Sequence, residues 1–374
     1  MTGVKILHTG DLHIGSSRTG VKNGRVEIMN TFFRIIELCK TENVEFLLIA
    51  GDLFDTPFPD NDIVGEIIHA MKQIPETIIA ISPGNHDCAC PGSVWLKYNF
   101  PENVFIFTNS VKSYEFPDKN VCLYGAAFTD KYEPQPLPFS PEVLDDNTIN
   151  LCVLHGDVVS ALSDSDYNPI TSDVIQNSGF DYLALGHIHK RSEIALLGNT
   201  HFSYCGCPDG RGFDEDGSHG IYIGTISRGR CSLEYSELSS RQYIINTLDI
   251  TGCVTSSEIA DKILGYIRNT YTDYARNLYR ITLTGTVSSG FVPNSVQIEA
   301  VLSEHLTHIR ITDKTDPDFS EIERIANENS LRGIFVKKML ELSESADSKD
   351  TERYHQALKL GLKAFEKEVT LDGN

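Results

Sequence analysis

Seven side chains in this 374-residue chain have the types and settings that hold hard divalent cations. They are Asp11 and His13 in D-L-H, Asp52 in G-D-L-F-D, Asn85 in G-N-H-D, His155 in H-G-D, and His187 and His189 in G-H-I-H. Each fragment alone is an ordinary turn, but five in succession, each closing an apolar run, form a pattern. A phosphoester is an anion, so attack on it meets charge repulsion; two divalent metals about 3.5–4 Å apart relieve that repulsion and activate water. Seven carboxylate, amide and imidazole donors are enough for two such metals sharing one bridging carboxylate. Oxygen donors mixed with imidazole suit Mn²⁺, with Fe or Zn²⁺ as alternatives, whereas an all-oxygen set would suggest Mg²⁺.

The elements that must position these residues can be read from periodicity. Over 25–42, Met29, Phe32, Phe33 and Ile36 recur at helical spacing while Arg25, Glu27, Arg34 and Glu37 can stay in water. The apolar runs at Ile6–Leu7, Phe46–Ala50, Thr77–Ile81, Ile149–Leu154 and Tyr182–Leu185 read as buried strands, and a helix-like stretch lies near 60–73. Strands alternating with amphipathic helices indicate α/β layers, and each strand delivers metal-competent residues at its C-terminal end, where open α/β sheets place ligands. Strands at 220–226 and 231–236 follow, and a boundary is expected near 240. Beyond it, a helix at 257–269, a strand at Leu278–Thr284 and a helix at 294–306 predict a small α+β unit.

Ser320 with Glu323 has the pattern of a capping box opening a C-terminal helical region. There Leu331, Ile334, Phe335, Met339 and Leu342 are expected to line one face, and Tyr354, Leu358, Leu362, Phe365 and Val369 another. Arg332, Lys337, Lys338, Lys359, Lys363 and Lys367 are available to face DNA or an acidic partner. The expected division is 1–240, 241–317 and 318–374.

The fragments G-D-L-H-I-G, A-G-D-L-F-D, G-N-H-D, H-G-D and G-H-I-H, with G-R-G-F-D-E-D-G at 210–217 and S-L-R-G-I-F-V at 330–336, carry a resemblance. The chain resembles the calcineurin-like metallophosphoesterase superfamily, and within it the DNA-repair exonuclease branch of SbcD/YhaO-like proteins. The resemblance implies a core of two packed mixed sheets flanked by helices, followed by a cap domain and a helical tail. It implies one metal on Asp11, His13, Asp52 and His189 and a second on Asp52, Asn85, His155 and His187. His86 would stay free of metal and donate a proton to the leaving oxygen or position the phosphate, with Asp55 orienting its ring. It further implies Mn²⁺-dependent hydrolysis of DNA, a homodimer, and an SMC-like (SbcC-like) ATPase partner docked on the tail. Protein phosphatases of the superfamily carry G-D-x-x-D-R-G and G-N-H-E; here Asp55 precedes Thr56-Pro57 and His86 precedes Asp87, which disfavours that activity. A small-molecule phosphodiesterase and a mainly architectural protein that bridges DNA ends remain the rival readings.

Arg18, Lys22, Lys190, Arg191 and Arg211 lie close to the motif loops and are candidate phosphate contacts; Arg211, between two glycines, is the foremost. Composition constrains these readings. The net charge is −20 from 32 basic and 52 acidic residues, and residues 1–240 hold 16 and 32 of these, so loose electrostatic attachment to nucleic acid is disfavoured. No apolar run approaches a membrane span and no signal-peptide pattern opens the chain, which together predict a cytoplasmic protein without membrane attachment. Nine scattered cysteines fit a reducing compartment, and the pairs Cys88/Cys90 and Cys205/Cys207 lack the usual zinc spacing.

Overall fold

The computed structural model describes residues 3–108, 112–137, 147–288, 291–344 and 348–365. The chain separates into two compact units, Met1–Gln242 and Tyr243–Asn374.

In the first unit, one six-stranded sheet runs in the order Arg230–Glu237, Gly220–Ser227, Val4–Thr9, Phe46–Ile49, Ile78–Ile81, Val104–Ile106. The last four strands are parallel, and Gly220–Ser227 closes antiparallel on Val4–Thr9. The second six-stranded sheet runs Ala195–Leu197, Thr200–Tyr204, Tyr182–Gly186, Ile149–His155, Val121–Gly125, Lys112–Phe116, with its four inner strands parallel.

Why these runs are continuously apolar follows from the layering. Ile6, Phe46, Leu48 and Ala80 of one sheet meet Leu123, Leu151, Val153 and Tyr182 of the other. The alternate residues Leu7, Leu47, Ile49 and Ile79 pack under Phe32, Ile35, Val64 and Ile67 of the helices Gly24–Thr41 and Asn61–Met71. The outer face of the second sheet is covered by the helix Ser172–Ser178. A parallel strand covered on both sides has no position where a polar residue would meet water. Both faces of the inner strands of both sheets are thus occupied, and the strand ends remain for chemistry. The fold is the expected α/β arrangement of two packed mixed sheets flanked by helices.

The second unit starts with a three-stranded parallel sheet, Tyr243–Asp249, Leu278–Thr284 and His308–Asp313, packed on helices Ser256–Thr270 and Ser295–Leu302. The second of these helices ends four residues before the expected 306. Three helices follow, Phe319–Ala326, Leu331–Glu344 and Ser348–Phe365. The first begins at Phe319, so Ser320 lies within its first turn and not at the expected capping position.

The apolar face predicted for Leu331–Glu344 holds in part: Phe335 and Met339 pack against the helical cluster, and the rest is corrected. Leu331 and Ile334 are 78% and 65% exposed, whereas Val336 is fully buried with Ile322, Ile325, Leu358 and Leu362. Gly333 explains this register: a Cβ there would lie 2.2 Å from the Glu328 carbonyl oxygen. Its bare backbone therefore faces the preceding helix and brings Val336, one turn on, inward with it. Lys359 does not face outward either. It is buried, with Nζ donating to Thr315 Oγ1 at 3.1 Å and lying 3.9 Å from Asp313. Lys367, Val369 and the side chain of Lys363 lie outside the described residues. Among the described residues no helix is long and apolar enough to cross a membrane.

Candidate metal centre

All seven predicted donors come together at the C-terminal ends of the parallel strands. The loops after Val4–Thr9 and Phe46–Ile49 continue the strand pairing: Asp11 N–H donates to the Gly51 carbonyl at 3.0 Å, His13 N–H to Asp52 at 2.9 Å and Ile14 N–H to Leu53 at 2.9 Å. This zipper seats D-L-H beside G-D-L-F-D. It requires unusual backbone: Asp11, His13, Asp52 and His187 have φ of 50°, 48°, 49° and 99°. Left-handed conformations cost non-glycine residues roughly 1–3 kcal/mol each and cluster where function demands them. Gly51, at φ 89°, is there for space as well, because a Cβ would lie 2.2 Å from His155 Nδ1.

The donor atoms fall into two sets around one carboxylate oxygen. Asp52 Oδ2 lies 3.7 Å from His13 Nε2 and 3.5 Å from His155 Nε2. On one side, His13 Nε2 and His189 Nε2 are 3.2 Å apart, with Asp11 in the same cluster. On the other, Asn85 Oδ1 is 2.9 Å from His155 Nε2 and 3.3 Å from His187 Nδ1.

The residues present fit divalent cations. The Nδ1–H of His155 donates to the Ala50 carbonyl at 2.9 Å, so Nε2 presents a lone pair to Asn85 Oδ1. Two acceptors that close repel unless a positive charge joins them. Burial raises the Asp11 carboxyl, against the pull of His189; burial raises Asp52 further, helped by the nearby Asp87 and Asp11 charges. Burial likewise lowers His13 to about 3 and depresses His155 well below the ordinary histidine value. A cation among these groups offsets the cost of ionised carboxylates and favours neutral imidazoles, the ligand form.

Groups around the donors hold them in place. The backbone N–H of His187 donates to both carboxylate oxygens of Asp11, at 3.0 and 3.1 Å. His86 N–H donates to Asp52 Oδ1 at 2.9 Å, which fixes the orientation of the shared carboxylate. The His86 ring is 43% exposed and stands edge-on to the His13 ring, centroids 4.6 Å apart, grouped with His13 and Asp55. Burial holds it below its ordinary value against the attraction of Asp55. Asp55 sits between several partners: its Oδ1 accepts from His13 Nδ1 at 3.2 Å, while His86 Nδ1 is 3.8 Å away and Arg211 3.6 Å. Its carboxylate hydrogen bond thus goes to His13; His86 stands at ion-pair distance from that carboxylate and is also drawn by the Asp55 backbone.

Three carboxylates were not singled out from the sequence. Asp87 is buried and accepts from Gly84 N–H at 2.8 Å and Phe54 N–H at 3.1 Å, locking two motif loops together; burial pushes it up to about 7. Asp157 Oδ1 lies 3.6 Å from His187 Nε2. Glu215 accepts from His189 Nδ1 at 2.7 Å. Burial opposes its ionisation, yet hydrogen bonds from His189 and Arg211 hold it far below the usual carboxylate range. The signal for Asp87 and Asp157 was adjacency, as each ends a motif already read for its histidine.

The candidate phosphate contacts divide. Arg18 is corrected: it is buried, pairing with Asp209 at 3.0 Å and Glu27 at 3.1 Å, so its charge serves to hold the 205–211 loop. Arg211 reaches the centre but is tied to Glu215 at 2.9 Å. Arg191 lies over the Tyr235 ring at 4.3 Å, and Lys22 and Lys190 are exposed.

The profile of the calcineurin-like phosphoesterase family matches residues 4–191. The chain belongs to this family. That stretch carries every donor named above, and the family is one of metal-dependent phosphoester hydrolases. Relatives include an uncharacterized metallophosphoesterase, YhaO, of Bacillus subtilis, 27% identical over 67% of this chain and 64% of that protein. The DNA double-strand break repair protein Mre11 of Methanopyrus kandleri is 22% identical over 60% of this chain and 55% of its own length. The SbcD component of the nuclease SbcCD of Staphylococcus epidermidis is 24% identical over 85% of this chain and 92% of its own. The chain thus spans less than two thirds of the first two relatives and most of the third.

Proposed function

We propose that this phosphoesterase is a two-metal DNA nuclease, with Asp11, His13, Asp52 and His189 holding one ion and Asp52, Asn85, His155 and His187 the other. The single observation that carries the two-ion reading is Asp52 Oδ2, placed 3.7 and 3.5 Å from imidazoles of the two sets. The ions, Mn²⁺ by the donor chemistry, would supply charge neutralisation of the phosphate and activation of water. The chain's own residues do the rest. Asp52 is kept in its bridging orientation by the His86 backbone. The exposed His86 imidazole meets the phosphate at the mouth and passes a proton to the leaving oxygen. Asp55 and Glu215 hold the rings of His13 and His189.

DNA as substrate is supported by the relatives named as a nuclease component and a break-repair protein. On that reading the chain works as a homodimer in the cytoplasm with an SMC-like ATPase, 241–317 forming a cap and 318–374 docking the partner. The exposed Leu331 and Ile334 offer apolar surface for that contact. The deciding experiment supplies purified chain with Mn²⁺ and single- and double-stranded DNA, alone and with the ATPase. Exonucleolytic cleavage lost in His155→Ala supports the reading; intact DNA under all conditions overturns it. The acidic first unit favours a second reading, a small-molecule phosphodiesterase, and faster turnover of cyclic nucleotides or a model diester than of DNA would establish it.

A further inference from the structure

Three site histidines are each backed by a carboxylate, and the three carboxylates are not alike. Asp55 is 3.2 Å behind His13, Asp157 3.6 Å behind His187 and Glu215 2.7 Å behind His189, with side-chain exposures of 36%, 20% and 7%. Glu215, the most enclosed, is also clamped. Its Oε2 accepts the Arg211 backbone N–H at 2.7 Å and its Oε1 the Arg211 guanidinium at 2.9 Å. The supporting loop is pinned in turn, as the Arg211 carbonyl accepts from Thr19 N–H at 2.8 Å and Asp209 pairs with the buried Arg18. Held this way, the His189 ring aims Nε2 at His13 Nε2, 3.2 Å away. The carboxylate hydrogen bonds of Glu215 go to His189 and Arg211, not to Asn85, His155 or His187.

We propose that Glu215, clamped by Arg211, is a positioning residue that sets the cation affinity of the Asp11–His13–Asp52–His189 set and leaves the other set unchanged. This rests on the two-ion reading. A ring whose outer nitrogen is fixed in direction and tautomer is a better ligand, and removal of such a partner costs about 10–100-fold in metal affinity. Because the partner serves one histidine only, the loss falls on one ion.

The test is Mn²⁺ titration of the full-length, chelator-stripped chain by calorimetry and electron paramagnetic resonance, with no substrate present. The wild type is expected to take up two ions. Glu215→Gln should bind one as before and the other about 10–100-fold more weakly, with loss of the spin-coupled pair signal at low Mn²⁺. Combining it with His13→Ala should be non-additive, and with His187→Ala additive. Arg211→Met, which removes the guanidinium from Oε1 and keeps the backbone N–H on Oε2, should weaken the same ion by a smaller factor, and it stands in for Glu215→Gln if that variant lacks a cooperative melt. Two ions at wild-type affinity in these variants, or equal loss at both sets, overturn the inference alone. A wild-type chain that takes up no second ion overturns the two-ion reading and this inference with it.

Discussion

At the residue scale, His86 is set apart by exposure: its ring lies against His13 and Asp55, and it is the exposed imidazole of the group. Its backbone, however, orients Asp52. Truncating the side chain removes the proposed proton donor and spares that backbone contact. His86→Ala is therefore expected to retain both ions by metal analysis while turnover falls by about 10²–10⁴-fold; release of an ion would make His86 a ligand instead. His8 offers a pH prediction. It is fully buried, bridging the Tyr182 hydroxyl at 2.8 Å and the Leu185 carbonyl at 3.2 Å, and burial lowers it to about 3. Between pH 6.5 and 3 the unfolded chain binds a proton at His8 that the folded chain refuses, so stability is lost as pH falls through that window, by up to about 1.4 kcal/mol per unit. In urea unfolding, His8→Gln should lose stability less steeply from about pH 6.5 to about pH 4 than the wild type. Parallel slopes would refute the assignment. The site histidines were legible because each sits in a short motif at a strand end. Glu215 was not, because it stands 26 residues from the histidine it holds and only the folded loop joins them.

At the element scale, what could be read was what period and burial dictate. Phe46–Ile49 and Tyr182–Gly186 are covered on both faces, so their sequences are unbroken apolar runs and their ends were found closely. The edge strand Lys112–Phe116 has an exposed face and reads K-S-Y-E-F, which carries no such signal. Helix Leu331–Glu344 was read only in part: Phe335 and Met339 pack as expected, but Leu331 and Ile334 are exposed while a glycine fixes which side packs. Adding a Cβ at that point must force the helices apart, since the obstruction is backbone. Gly333→Ala is thus expected to lower the melting temperature of the helical region of the second unit and to leave Mn²⁺ uptake by the first unit intact. An unchanged melt would show that the close approach of Gly333 does not set the register.

At the scale of the whole molecule, the charge of −20 stands against the proposed polyanionic substrate, and the arrangement of the first unit suggests how the two would coexist. Its acidic excess is spread over the unit, whereas the donor sets gather two buried carboxylates, Asp11 and Asp52, among imidazoles. Two divalent cations would set four positive charges against these two carboxylates and against Asp55, Asp157 and Glu215 beside the histidines, so attraction for a phosphate would be confined to the ions themselves and contribute few phosphate contacts. DNA affinity of the isolated chain should then be weak and gated by metal. Because affinity falls with salt in proportion to the phosphates neutralised, the salt dependence should be shallow, with a slope set by one or two phosphates. Fluorescence anisotropy with a short duplex and His86→Ala, chosen for its expected slow cleavage, is the measurement: binding with Mn²⁺, none with EDTA, and a shallow log–log slope. Tight binding in EDTA with a steep slope would place the DNA on a basic surface away from the metal centre, and the acidic unit would then be a bystander in substrate recognition.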